Sequence, residues 1–120
     1  MTLSYRWAIG IGCVALTWGL CTMSHFVSAA GGDVAKGKSI FQSKCMSCHG
    51  PEGKGDGPVG KVLNPPAGNF TSAESKKKSE AELRNIIENG KPKTAMVAWK
   101  DQLSEVEIQD VLAYVQTLRK

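Results

Sequence analysis

The sequence predicts an all-α domain, and three observations carry the prediction. Three segments repeat apolar residues at helical spacing, each behind a residue suited to cap a helix. No run alternates polar and apolar residues as a half-buried strand requires. Two long connections rich in glycine, proline and lysine separate the helical segments, and loops of that length in so short a chain need something to order them.

The first 30 residues read as a secretory leader. Arg6 supplies the positive start, Trp7 to Met23 form an apolar stretch of 17 residues, and "HFVSAAGG" offers small residues for cleavage near Ala29 or Ala30. The stretch falls just short of a comfortable membrane span, so an uncleaved N-terminal anchor is the rival expectation. Residues 31–120 then form a single domain.

The first helix is expected to start behind Asp33 as N-cap and to run through "VAKGKSIFQSKC", with Val34, Gly37, Ile40 and Phe41 on one face. The second starts behind Ser79, whose pairing with Glu82 reads as a capping box. Leu83, Ile86 and Ile87 give it an apolar stripe, and Gly90 with Pro92 marks its end. The third starts behind Ser104, paired with Glu107, with Leu103 and Ile108 placed as a hydrophobic staple. Ile108, Val111, Leu112, Val115 and Leu118 line one of its faces.

Fifteen Lys and Arg against eleven Asp and Glu leave a net charge of +4, or +3 once Arg6 is removed with the leader. That is too weak to imply nucleic acid, and no aromatic-rich basic stripe supports one. It suits transient docking on acidic partner proteins. Lys76, Lys77 and Lys78 read as a solvated run first, and as a docking patch second. A domain of about 90 residues has a marginal core and would gain from a large apolar group at its centre.

The chemistry lies in "KCMSCHG". Loss of the leader removes Cys13, Cys21 and His25, leaving Cys45, Cys48 and His49 as the only thiols and imidazole. Structural zinc needs four ligands, and no second cluster supplies them. A thioredoxin-type redox pair expects a βαβ setting that this chain lacks. Attachment of a c-type haem needs this spacing: two thiols three residues apart reach the two vinyl groups, and the next residue brings an imidazole beneath the iron. For the other axial position, Met46 sits between the anchoring cysteines and cannot reach the far face of the ring. Met96, 47 residues beyond His49, lies in a loop free to approach from there. A lysine of "GKPK", an open coordination site, or a methionine that merely packs stand beside that reading. A His/Met pair would raise the reduction potential and keep small substrates off the iron, which predicts a carrier and not an enzyme.

With those residues placed, the chain resembles a class I cytochrome c of the small bacterial periplasmic monohaem type, from about Asp33 to Leu118. The resemblance implies the cytochrome c fold, with one haem c held through Cys45 and Cys48 and its iron ligated by His49 and Met96. It matches Gly37 and Phe41 to the family's Gly-x-x-x-Phe/Tyr, and Tyr114 to the aromatic at the crossing of the terminal helices. It implies Pro58 as the carbonyl that takes the hydrogen bond of the imidazole, and Phe70 and Trp99 as aromatics against the ring. Where the family has Met-Pro at the axial ligand, this chain has Met96-Val97, which leaves that loop less rigid. The expected function is single-electron transfer between periplasmic redox partners by a monomer. The alternatives are the haem subunit of a larger oxidoreductase complex, and a haem sensor or enzyme with a displaceable sixth ligand. A membrane location follows only if the leader is uncleaved.

Overall fold

The computed structural model describes residues 31–120. The expected leader, with Cys13, Cys21 and His25, lies outside the described residues. Five helices follow in chain order: α1 (Val34–Lys44), α2 (Met46–His49), α3 (Ala73–Lys77), α4 (Glu80–Asn89) and α5 (Glu105–Leu118), with a 3₁₀ turn at Gly60–Val62. There is no strand among the described residues, and none of their helices is long and apolar enough to cross a membrane.

Local signals set the helix starts. The Asp33 side chain accepts the backbone N–H groups of Ala35 and Lys36, satisfying donors that the first turn leaves unpaired. Ser79 with Glu82 and Ser104 with Glu107 both form complete capping boxes. Leu103 and Ile108 are both buried, as a staple ahead of α5 requires.

The core sits where α1 crosses α5. A Cβ at Gly37 would run into the carbonyl oxygen of Asp110, so glycine at this position lets the two backbones meet. Phe41 is the largest fully buried side chain and packs with Val111 and Val115. Its ring lies 5.3 Å from that of Tyr114 on α5. The carboxylate of Asp110 is buried at the same crossing and accepts the N–H of Asp33 at 2.6 Å. The apolar face expected for α1 loses Val34, which is 45% exposed because it lies in the first turn, ahead of the crossing.

Helix α4 is joined to α5 through Arg84, which donates to Gln109 of α5 at 2.6 Å and is held by Glu88 of its own helix at 2.8 Å. Its apolar stripe serves both the core and a cavity: Leu83 is buried and Ile87 packs against the cluster of Phe41, Val111 and Val115. Leu83, Ile86 and Ile87 also line a cavity of about 270 Å³ between α4, α2 and the two long connections. The first of those connections is more ordered than its composition suggests. It holds the 3₁₀ turn and α3, whose N-cap Ser72 accepts the Ser75 N–H at 3.1 Å.

Candidate functional site

Helix α1 hands the chain directly to the Cys-x-x-Cys-His turn. Cys45 ends α1 with its N–H bonded to the Phe41 carbonyl at 2.9 Å, and α2 is the single turn that carries Cys48 and His49. Both thiols are free, and both open on the cavity with His49. Burial pushes the Cys45 thiol up to about 11, against the smaller lowering effect of Lys44. It therefore stays a thiol at neutral pH, a poor metal ligand and a slow partner for disulfide exchange.

The loop after His49 folds back as a cradle. Gly57 and Val59 donate to the carbonyls of Cys48 (3.2 Å) and Ser47 (2.9 Å), and Gly55 donates to His49 (2.8 Å). Gly50, Gly53 and Gly55 adopt φ of 76°, 68° and 76°, a region that favours glycine. Gly53 also accepts the N–H of Phe70 at 2.7 Å, and this seats the Phe70 ring against His49, with centroids 4.6 Å apart and planes 20° from parallel. Phe70 in turn lies 6.3 Å from Phe41. Tyr114, Phe41, Phe70 and His49 thus form one continuous aromatic contact from the helix crossing to the imidazole.

The imidazole has a defined proton. Its Nδ1 lies 3.0 Å from the carbonyl oxygen of Gly68, which can only accept, so Nδ1–H donates and Nε2 keeps its lone pair. Burial holds the pKa of His49 below its ordinary value, and the Gly68 carbonyl offsets this only in part. A neutral, oriented imidazole with one basic nitrogen is what iron ligation needs. Pro58 does not take the part expected of it. It is exposed and away from the cavity, because the loop around it is committed to the α2 backbone through Gly57 and Val59. Gly68, from the "NPPAGNF" stretch, is the acceptor.

Met96 stands in the second long connection, between α4 and α5, and lines the same cavity. Its carbonyl accepts the Lys91 N–H at 3.0 Å, and its N–H donates to Thr94 Oγ1 at 3.1 Å. Trp99 N–H and Lys100 N–H bond the Ile87 and Glu88 carbonyls, which fastens the far end of the loop to α4. Trp99 also lines the cavity, with the Lys44 ammonium 5.6 Å from its ring centroid. Six of the seven expected site residues therefore share one cavity, and Pro58 is the exception. Sequence reasoning did not single out Gly68, although an Ala-Gly beside the expected Phe70 was the available signal.

The cavity fits a haem by its own chemistry. Two free thiols and a neutral imidazole stand in one wall, and the remaining walls are chiefly apolar. A mostly helical domain that presents such a wall is a c-type cytochrome domain. The family described as "Cytochrome C oxidase, cbb3-type, subunit III" matches residues 32–115, and the chain belongs to it. The chain is 34% identical over 98 residues to the "Cbb3-type cytochrome c oxidase subunit FixP" of Bradyrhizobium diazoefficiens, covering 81% of this chain and 31% of that protein. It therefore spans about a third of that relative. It is also 34% identical over 85 residues to the cytochrome c6 of Bryopsis maxima, covering 71% of this chain and 91% of that one. Among solved structures, the "KustC0563 c-type cytochrome" superposes with a TM-score of 0.61 at 26% identity, over 70% of this chain and 98% of that one. The cofactor is accordingly a haem c attached through Cys45 and Cys48, and the chemistry is haem-based electron transfer.

Proposed function

We propose that this chain is an exported single-haem electron carrier of the periplasm, with His49 and Met96 as the two axial ligands. One observation supports this most: His49 at the end of α2 and Met96 in the second long connection, 47 residues apart in sequence, line one cavity together with the two thiols. When bound, the haem supplies a one-electron couple. The protein's residues set its conditions. His49 is held neutral and oriented by Gly68 and Phe70, and Met96 offers a soft thioether that favours ferrous iron and raises the potential. Leu83, Ile86 and Ile87 exclude water from the cavity wall. With both axial positions filled, the protein carries electrons between partners and transforms no substrate of its own.

Absorption spectra of the ferric protein test this. The weak far-red band of a Met–iron bond is expected at neutral pH and should vanish in Met96→Ala. Its absence from the wild type would remove Met96 as ligand, and binding of carbon monoxide by the reduced wild type without denaturant would favour a displaceable sixth position.

A second reading, a haem subunit of a larger oxidoreductase, is favoured by the similarity to cbb3-type subunits, of which the chain spans only a part. Purification of the native protein separates the two readings: a carrier is recovered alone, a subunit with its complex.

A further inference from the structure

Arg119 lies beyond the residues that the family match covers, at the C-cap of α5. Its guanidinium does not point into solvent. Nη2 donates to the backbone carbonyls of Ser75 and Lys78, the latter at 2.8 Å, and Nη1 donates to Gln116 Oε1 at 2.8 Å. Nε is buried and has no hydrogen-bond partner among the described residues. None of the ion pairs among the described residues includes Arg119, so its charge is met only by neutral oxygens.

The two carbonyls it holds belong to the wall of the haem cavity. Ser75, buried near the end of α3, and Lys78, the C-cap of α3, both line that cavity, as does Val115 one turn before Arg119. A five-residue helix has little stability of its own. Arg119 ties its last turn to α5 across 41 and 44 residues of sequence, with a planar fork that lysine cannot reproduce. The same fork fixes a positive charge directly behind the wall. A fixed cation without a carboxylate partner, in a partly buried setting of low effective dielectric, disfavours the additional positive charge of oxidised iron.

We propose that Arg119 is a positioning residue for the haem site: it clamps the α3 wall of the cavity to α5 and, through its fixed charge, raises the reduction potential of the haem. The proposal rests on the haem reading of the cavity.

The test is spectroelectrochemical titration of the holoprotein, with thermal unfolding alongside, in Arg119→Gln and Arg119→Lys. Arg119→Gln is expected to lower the potential, and the shift should persist at high ionic strength because a buried charge is poorly screened. Arg119→Lys keeps the charge but not the fork, so its potential should stay near wild type while its unfolding midpoint falls. An unchanged potential in Arg119→Gln, or an equal fall in both variants, overturns the proposal. If Arg119→Gln does not load haem, Arg119→Lys decides: a potential near wild type supports the electrostatic role, and a lowered one overturns it. A wild-type chain without covalent haem would instead overturn the reading on which the proposal rests.

Discussion

His49 and Met96 line the same cavity from regions of different construction. The His49 side is continuous with the core: Phe41 is 1% exposed, Phe70 links it to the imidazole, and three positive-φ glycines bend the following loop around α2. The Met96 side is a surface connection. The bonds around the methionine are local, between Lys91, Thr94 and Met96, with the loop tied to α4 only further on at Trp99 and Lys100, and Val97 behind the methionine is 55% exposed. One side is thus held by tertiary packing that runs from the core to the imidazole. The other is held around Met96 by bonds within its own loop, which makes it the more readily opened of the two. Under the proposed ligation, exchange of an axial ligand is therefore expected at Met96 before His49.

The contrast can be broken most directly at Phe41. Phe41→Ala should destabilise the protein by about 3–5 kcal/mol, as a buried phenylalanine deletion does, and should also loosen Phe70 and His49. Urea unfolding of the holoprotein measures the first effect; a loss below about 1 kcal/mol would show that the crossing is not the scaffold. Gly37→Ala comes next. Its methyl group meets the Asp110 carbonyl, so an overpacking cost of about 1–3 kcal/mol is expected in the same measurement.

Met96→Ala should remove the far-red band and lower the potential. It should leave covalent haem and helical circular dichroism at wild-type levels, and cost less stability than Phe41→Ala. Loss of the helical signal would mean that the Met96 loop supports the fold as much as the His49 side does. The smallest effect is expected at a residue that does not line the cavity. Ser104→Ala removes a cap worth about 1 kcal/mol and should leave the spectrum untouched.

The same cap gives a pH test. Hydrogen bonds from the Ser104 backbone and hydroxyl hold the Glu107 carboxyl below its usual value of 4.5. Its folded pKa is depressed, so the stability it contributes is present above 4.5 and disappears as pH falls through the lowered value. Glu107→Gln should therefore be less stable than wild type at pH 7, and the two should converge in acid. A difference that persists in acid would show that the carboxylate charge is not what stabilises this helix end.

The parts of this protein written in short stretches were legible in the sequence. Asp33, Ser79 with Glu82, and Ser104 with Glu107 set helix starts through bonds that span two or three residues. The Cys45, Cys48 and His49 spacing identified the cofactor, because one helical turn brings those three groups to one wall. The close crossing at Gly37 and the aromatic at Tyr114 were readable from the family resemblance, and the structure has both.

What only the tertiary structure decided are pairings between distant residues, for which a linear pattern carries no signal. The carbonyl at His49 Nδ1 belongs to Gly68 and not Pro58, because the Gly57–Val59 backbone is spent on α2 while the later stretch returns beneath the imidazole. Helix α3, five residues in a run of serines and lysines, forms against the rest of the chain, where Arg119 reaches two carbonyls near its end. Asp110 reads as a polar residue of α5, yet it is buried because the crossing puts the Asp33 N–H against it. Capping and motif spacing are local physics, fixed within one turn. Burial and long-range hydrogen bonds exist only once the chain has brought its ends together.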